Sequence, residues 1–259
     1  MARHATRFFE QPLAAKVPEI TALFWAIKIL TTAGGEATSD YLSLHSKVVG
    51  GAIEILVFAV ALVLQFRIRR YFALTYWFLA YAIAIAGTGV SDTMHLTIGL
   101  PYWATTIFWM VVLALIFWYW QRSEGTLSIH SIVTRRRELD YWATVFATFA
   151  LGTALGDFTA TALRMGYLTS GIVFAVLITL PGLAWRFARL NEIAAFWMAY
   201  VLTRPLGASF ADYFSKAHDL SGANFGDGPT AVVCALIIAV LVLYSAYARN
   251  DIQEPRVQN

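Results

Sequence analysis

The sequence has few charged residues and almost no cysteine. Charged residues make up 14% of its 259 positions, whereas soluble domains carry about a quarter, so a soluble globular protein is disfavoured. The one cysteine, Cys234, lies in the last apolar run, which excludes a disulfide or a cysteine-rich metal site within one chain. The phosphate-binding Gly-x4-Gly-Lys-Ser/Thr loop is also missing, which argues against nucleotide binding of the P-loop type.

Other missing motifs narrow the function further. The sequence has no His-Glu-x-x-His or Gly-x-Ser-x-Gly motif and no visible pairing of a nucleophile with a base, so we do not expect an enzyme. The Thr-Val-Gly-Tyr-Gly filter of K⁺ channels is absent as well. The net charge is only +3, and the basic residues flank apolar runs. This placement indicates a lipid bilayer as partner and no nucleic acid.

Long apolar runs, by contrast, occupy most of the chain. They predict an all-α polytopic membrane protein with eight transmembrane helices, because each run matches a hydrocarbon layer about 30 Å thick. The predicted spans are residues 18–40, 48–66, 71–93, 101–120, 139–161, 167–186, 191–213 and 229–247. No secretory signal precedes the first span, which is therefore expected to target the chain itself.

Lys and Arg are distributed unequally between the two ends of these spans. Fourteen lie in the tails and in the connections between hairpins, and only Lys47, Arg164 and Lys216 lie in turns within hairpins. The positive-inside rule then places both termini in the cytoplasm. The predicted divisions are an N-terminal tail at 1–17, repeats 1 and 2 at 18–120, a cytoplasmic linker at 121–138, repeats 3 and 4 at 139–248, and a C-terminal tail at 249–259.

A tryptophan is followed fifteen residues later by an aspartate four times in the chain. The pairs are Trp25/Asp40, Trp77/Asp92, Trp142/Asp157 and Trp197/Asp212, and a glycine lies ten residues after each Trp, at Gly35, Gly87, Gly152 and Gly207. Random placement would give about 0.3 such pairs, so the chain contains four tandem repeats. Each repeat is predicted to be a helical hairpin whose first helix carries the three residues.

Because each repeat contains two spans, the four first helices run in the same direction. Fifteen residues of helix are roughly 22 Å long, so the four Asp share one depth toward the outer face. One interpretation is that they cap the hairpins in contact with water; the other is that they converge on a cavity that holds a cation or protons. With Glu36, Glu54, Lys28 and Arg204 included, the spans carry a net charge of −4 if all groups ionise, which favours cation or proton binding.

The repeated glycines also allow two interpretations. A glycine and a small residue four positions later let helices approach closely, whereas unwinding at Gly34–Gly35 or at Arg204–Pro205 would expose carbonyl groups to a substrate. The repeated Trp residues are expected to be interfacial anchors or bundle filler. A threonine six residues after three of them, at Thr31, Thr148 and Thr203, is expected to bond to its own helix backbone.

The acidic residues of the spans are the candidate site. We predict that Asp40, Asp92, Asp157, Asp212 and Glu36 bind cations and protons, with the four Asp as metal ligands. Possible accessory residues are Glu54, His95, Lys28 and Arg204. His95 follows Asp92 by one helical turn, and carboxylate with imidazole suits divalent Mn²⁺, Fe²⁺ or Zn²⁺. The metal ion would be the substrate, and no resident cofactor is expected.

The chain resembles bacterial membrane proteins built from four tandem two-helix repeats and known as a repeat of unknown function (number 347). The likeness rests on residues 17–25 (VPEITALFW) with 35–40 (GEATSD), on Tyr141-Trp142 with Leu155-Gly156-Asp157, and on Phe196-Trp197 with 203–208 (TRPLGA). It covers nearly the whole chain. The resemblance implies a multi-pass protein of the bacterial inner membrane and no settled activity.

From the acidic residues we predict a cation transporter, and more specifically a proton-coupled exporter of a divalent metal ion. A passive cation channel is the alternative within transport. A non-transporting scaffold or sensor, in which the repeats serve only packing, is the alternative outside it. A homo-oligomer is possible in each case.

Overall fold

The computed structural model describes residues 14–253, and its regular elements in this range are helices throughout. In chain order the nine α-helices are α1 (Ala22–His45), α2 (Lys47–Arg67), α3 (Ala73–Asp92), α4 (Tyr102–Glu124), α5 (Arg135–Asp157), α6 (Tyr167–Leu177), α7 (Thr179–Ala188), α8 (Glu192–Ser215) and α9 (Asp227–Ala248). The predicted all-helical class is confirmed. The outer parts of the two predicted tails, 1–13 and 254–259, lie outside the described residues.

Side-chain caps start four of these helices. The hydroxyl oxygens of Thr21, Ser46 and Thr134 each accept a hydrogen bond from the backbone N–H three residues later, at the starts of α1, α2 and α5. The Asn191 side chain accepts from two N–H groups at the start of α8. Such caps satisfy donors that have no partner within the helix. Ser46 alone joins α1 to α2, which makes the first hairpin very tight.

The helix predicted at 167–186 is interrupted at Ile178, between α6 and α7. Pro181 lies in the first turn of α7 and has no N–H to donate to the carbonyl of Leu177, the last residue of α6. The missing hydrogen bond accounts for the interruption at this point. The two pieces together still form one membrane-length segment, Tyr167–Ala188.

Six helical segments of residues 14–253 are long and apolar enough to cross a membrane. They are Lys47–Arg67, Ala73–Thr97, Tyr102–Glu124, Arg135–Ala162, Tyr167–Ala188 and Asp227–Ala248. The other two predicted spans, α1 and α8, have 24 residues each, but internal charges such as Glu36 and Arg204 lower their hydropathy. The chain is therefore a multi-pass membrane protein with six candidate spans of ordinary composition.

The first helices of the four repeats form a closed inner ring. In this ring α1 contacts α3, α3 contacts α5, α5 contacts α8, and α8 returns to α1. In the most apolar 18-residue stretches of α3 and α5, two-thirds of the residues are buried inside the protein. The corresponding share is 22–28% for α2, α4, α6–α7 and α9. The second helices therefore form an outer layer, and their exposed apolar side chains suit contact with lipid.

Each second helix packs most extensively on the first helix of the following repeat rather than on its own. Thus α2 lies against α3, α4 against α5, α6 and α7 against α8, and α9 against α1. The predicted hairpin describes the connection along the chain, but it is not the main packing unit. Every repeat depends on its neighbour for burial, as in other repeat architectures.

The repeated glycines lie where neighbouring inner helices approach most closely. A Cβ atom added to Gly35 would lie 2.2 Å from Ala84 of α3, and one added to Gly87 would lie 2.8 Å from Phe149 of α5. Added Cβ atoms at Gly152 and Gly207 would lie 2.2 Å from Arg204 and 1.8 Å from Thr32. These contacts support the packing interpretation.

The alternative of unwound helices is wrong for this structure. Both α1 and α8 run as unbroken helices through Gly34–Gly35 and through Pro205. The Arg204 side chain instead contributes a charged group of α8 to the ring interior.

Replacing Gly35 by Ala is expected to lower the free energy of unfolding by about 1–3 kcal/mol, the usual cost of overpacking. The added methyl would also lie 2.9 Å from the Ala84 carbonyl carbon, which belongs to the backbone and cannot easily move. Gly51→Ala in α2 is the matched control, because no atom lies within 4 Å of its added Cβ. Since Ala favours helices, the control is expected to gain about 0.5–1 kcal/mol. Unfolding in detergent micelles by SDS titration measures both; equal stabilities would contradict the tight ring contact.

Candidate functional site

The four repeated aspartates come together at one end of the inner ring. Each lies at or near the C-terminal end of its helix, Asp40 in α1, Asp92 in α3, Asp157 in α5 and Asp212 in α8. All four line one cavity of about 130 Å³, which we call the carboxylate cavity. Its other lining residues are Glu36, His95, Leu96, Tyr102, Tyr167 and Lys216. At about 30 Å³ per water molecule, the volume is that of roughly four waters.

The repeat also specifies the ring interior below this cavity, in steps of four residues. The residues three positions after each Trp form a lysine layer, those seven after form an arginine layer, and those eleven after form a glutamate layer. The lysine layer is Lys28, Ala80, Val145 and Tyr200; the arginine layer is Thr32, Ala84, Phe149 and Arg204; the glutamate layer is Glu36, Thr88, Thr153 and Ala208. All twelve side chains are buried, so the interior is tightly closed between the cavity and the Trp end.

Arg204 of α8 pairs with Glu36 of the neighbouring α1. Its Nη2 donates hydrogen bonds to the Glu36 carboxylate and to the hydroxyls of Thr88 and Thr153, the last at 2.7 Å. Its Nη1 donates to the Thr32 carbonyl at 3.3 Å. The two threonine hydroxyls also lie 3.0 and 3.4 Å from Glu36 Oε2. This buried network draws on all four inner helices and forms the floor of the carboxylate cavity.

Lys216 enters the cavity from the loop after α8. Its Nζ lies 2.6 Å from Asp40 Oδ2, 3.1 Å from Asp227 Oδ1 and 3.9 Å from Asp212 Oδ1. Burial lowers the pKa of Lys216, but the facing carboxylates of Asp40 and Asp212 raise it by more, so the pKa is raised overall and the ammonium keeps its proton. Lys216 is thus a tethered cation inside an acidic cavity.

The cavity retains an excess of negative charge despite these two cations. Five carboxylates, those of Glu36 and the four repeated Asp, face Lys216 and Arg204. If all groups ionise, the formal charge is −3. Glu36 and Asp212 are buried and the other three carboxylates are only partly exposed, so such an excess is costly unless cations or protons are bound.

Three of the carboxylates are arranged as potential ligands of one ion. Among the described residues, one oxygen each of Glu36, Asp40 and Asp212 lies within 4.8 Å of the others. Oxygens that bind the same divalent ion at 2.0–2.6 Å are at most about 5 Å apart. The predicted ligands Asp92 and Asp157 line the same cavity but lie outside this group of three.

Two of the predicted accessory residues make contacts of their own. His95 lines the cavity, but its Nδ1 lies 2.6 Å from the Leu100 carbonyl and its ring stacks on Tyr102. Glu54 does not line the cavity; it accepts a hydrogen bond from Ser39 at 2.7 Å, between α1 and α2. His95 is therefore part of the cavity wall, whereas Glu54 lies outside the cavity, between α1 and α2.

Lys28 and Arg204 differ from each other in their contacts. Arg204 is the ion-pair partner of Glu36, as described above, whereas Lys28 is buried among aromatic rings in the lysine layer. The predicted backbone bonding of Thr31, Thr148 and Thr203 is confirmed, since each hydroxyl donates to a carbonyl of its own helix. These hydroxyls are therefore already used within their helices.

Lys216 is a site residue that the sequence predictions did not include. It follows Asp212 by four residues, a spacing that places both on one helical face and that could have identified the pair. Its position in a predicted turn is, however, equally typical of a solvent-exposed lysine. Thr88 and Thr153 were also missed, although each lies four residues before the aspartate of its repeat.

A larger cavity of about 740 Å³ lies at the opposite, tryptophan end of the ring, between α1, α7 and α8. Its walls are mainly apolar and include Trp25, Trp185 and Phe196, with Glu19 and Glu192 among its few polar residues. No repeated aspartate lines it. The smaller cavity is therefore the candidate site, because the sequence repeat itself assembles its polar walls.

Comparison with known protein families agrees with the internal repeat. The family described as Repeat of Unknown Function (DUF347) matches residues 23–71, 75–126, 141–191 and 195–251. No curated protein and no solved structure matches the chain. The four matches correspond to the four helix pairs that build the ring, and together they cover most of the sequence. The chain is therefore a member of the family of repeats of unknown function DUF347.

Proposed function

We propose that all eight helical segments cross the bilayer and that both termini lie in the cytoplasm of a bacterium, with the protein in its inner membrane. Although α1 and α8 are less apolar than the other segments, they are enclosed by α3, α5 and α9. Their charges therefore face the ring interior rather than lipid, as is usual for charges in membrane spans. The excess of Lys and Arg at the tryptophan ends supports this orientation.

Within this topology, we propose that the protein exports a divalent cation in exchange for protons. The observation that carries the proposal is the convergence of the four repeated Asp and Glu36 on one cavity. A single buried acid has many explanations, but the repeat places four acids together and Glu36 adds a fifth, which leaves an excess charge of −3. A cation or several protons would neutralise that excess, and each would exclude the other.

The ligand set indicates the class of cation. Glu36, Asp40 and Asp212 offer only carboxylate oxygens, and His95 is not among the groups whose ligand atoms converge. Oxygen ligands suit Mg²⁺, Ca²⁺ and Mn²⁺ better than softer ions. We therefore propose a cation of this hard, oxygen-preferring class, and take Mn²⁺ as the probe.

The closed interior favours a carrier over a passive channel. The carboxylate cavity ends at the Glu36–Arg204 pair, and the arginine and lysine layers below it are fully packed. A channel needs a continuous path, whereas a carrier needs a site that opens to one side at a time. Because the inward proton gradient drives cations outward in such an exchange, we propose export.

A non-transporting role remains a proposal of lower rank. A scaffold or sensor would use the repeats only for packing, but packing does not require an acidic residue at the same position in every repeat. An enzyme is not proposed, because the cavity offers no nucleophile with its base. Homo-oligomerisation stays a prediction.

Flux measurements in proteoliposomes test the proposal. With the membrane potential clamped, Mn²⁺ is expected to move against its concentration gradient when an opposing pH gradient is imposed. It should stop accumulating when an ionophore removes that gradient. Protein-free liposomes of the same composition are the control. Flux that only follows the Mn²⁺ gradient and ignores the pH gradient would indicate a channel, and flux equal to that of empty liposomes would rule out transport of this cation.

A further inference from the structure

Lys28 is a fully buried lysine that the proposed cation site does not use. It lies in the lysine layer, two layers below Glu36, and its side chain is 0% exposed. Within residues 14–253 its Nζ has no hydrogen-bond partner and no carboxylate at ion-pair distance. A buried ammonium without an acceptor is costly, and a neutral amine avoids that cost. A buried lysine without an acidic partner therefore indicates a functional role for its amine.

Two aromatic rings from neighbouring helices contact the Lys28 amine. Nζ lies 4.1 Å from the ring centre of Phe149 in α5 and 4.3 Å from that of Tyr200 in α8. Cation–π attraction favours the charged form, but it is weaker than a hydrogen-bonded ion pair in a buried site. The contacts therefore keep the amine in place without fixing its protonation state.

The charged and titratable groups around Lys28 define its electrostatic surroundings. From α8 it faces Arg204 and Tyr200, while α5 and α3 present apolar Phe149 and Ala80 at these levels. The acid of its own helix, Glu36, lies eight residues further on and is paired with Arg204. The nearby formal charge is thus a second cation, which also covers the Phe149 ring at 5.4 Å.

Further tyrosine hydroxyls lie on the tryptophan side of Lys28, and none of them is hydrogen-bonded to its amine. Below Tyr200 the next layer contains Tyr141 of α5 and Tyr76 of α3, whose hydroxyls hydrogen-bond to each other. Tyr71, near the start of α3, donates to the Asp251 carboxylate at 2.5 Å. Hydroxyl groups of this kind both donate and accept hydrogen bonds. They line the side of Lys28 that faces away from the carboxylate cavity.

We propose that Lys28 is a second proton-binding group, which gives up a proton when a cation enters the carboxylate cavity. This inference rests on the proposed function and assigns its proton coupling to a residue outside the cation site. The ammonium loses one proton to water on the cytoplasmic side and becomes a neutral amine; when the cation leaves, the amine takes up one proton again. The coupling is electrostatic, because a cation above Arg204 makes a further positive charge on the same axis more costly.

Proton release on Mn²⁺ binding tests this role directly. The purified protein in weakly buffered detergent is titrated with Mn²⁺, while calorimetry gives the affinity and a pH-sensitive dye counts released protons. Lys28→Met is expected to bind Mn²⁺ at least as tightly as wild type and Lys28→Arg more weakly, because the charge at this position opposes the cation, and both variants should release about one proton fewer per ion. Arginine keeps its charge at all accessible pH values, so Lys28→Arg carries the test if Lys28→Met does not fold. Lys47→Met, at an exposed lysine, is the matched control and should behave as wild type.

The possible outcomes separate this inference from the proposed function. If the Lys28 variants release as many protons per Mn²⁺ as wild type does, the role of Lys28 is overturned and the cation site stands. Loss of Mn²⁺ binding in both variants also counts against it, because a distant proton-binding group should leave the carboxylates intact. If wild-type protein binds no Mn²⁺, the proposed function fails, and the inference fails with it.

Discussion

Asp212→Asn is expected to reduce the initial rate of Mn²⁺ transport in proteoliposomes by about 10- to 100-fold or more. Asp212 is buried and supplies one of the three oxygens that converge with those of Glu36 and Asp40. Loss of groups that only support a metal ligand typically costs 10–100-fold in affinity or activity, and loss of a ligand should cost at least as much. Asparagine keeps the shape of the side chain but removes its negative charge, so the change isolates the electrostatic contribution.

The matched control is Asp219→Asn, the same substitution seven residues later. Asp219 is exposed in the turn after α8 and does not line the carboxylate cavity. Its rate is expected to equal that of wild type at the same reconstituted amount. Unchanged transport by Asp212→Asn would show that this carboxylate is not part of a cation path and would favour the scaffold or sensor alternative.

Arg204→Met is expected to lower the free energy of unfolding by about 3–5 kcal/mol, as breaking a buried ion pair usually does. Arg204 is 0% exposed, and its guanidinium contacts Glu36, Thr88 and Thr153. Without it, the Glu36 carboxylate has only two threonine hydroxyls as donors. The uncompensated charge at the floor of the cavity, rather than lost packing, accounts for most of the cost, since Met fills similar space.

A double-mutant cycle separates these causes. Glu36→Gln combined with Arg204→Met removes both charges and is expected to recover much of the lost stability. Arg122→Met, at an exposed arginine at the end of α4, controls for the loss of a positive charge and should change stability little. SDS-induced unfolding in detergent micelles provides the measurement. Additive effects of the two single changes would contradict a direct ion pair.

The sequence was sufficient to predict the eight helical segments and the common depth of the four Asp. Both follow from local rules: apolar runs of membrane length, and a fifteen-residue spacing on helices that run in the same direction. Convergence on one cavity was left open, since a common depth does not specify whether side chains face inward. The ring resolves this question, because Gly35, Gly87, Gly152 and Gly207 fix which face of each helix meets its neighbour.

Partners distant in sequence were beyond prediction from one chain. Glu36 and Arg204 are separated by 168 positions, and Lys216 and Asp40 by 176. Nothing in the spacing of either residue identifies its partner, because the contact exists only once α8 lies against α1. The same limit explains Lys28: its position in an apolar run was visible, but its lack of an acidic partner was not.

The contact between α8 and α1 has a consequence for how the chain is synthesised. In the proposed topology, helix α1 is synthesised before α8 and carries Lys28 and Glu36, yet the arginine that neutralises Glu36 lies in the seventh helical segment. Until that segment is inserted, the Glu36 carboxylate must stay near water, become protonated or pair temporarily with another group at the insertion machinery. Assembly of the ring interior is therefore a late, post-insertion event, and a nascent chain halted after the third repeat would carry an orphaned acid in its first helix.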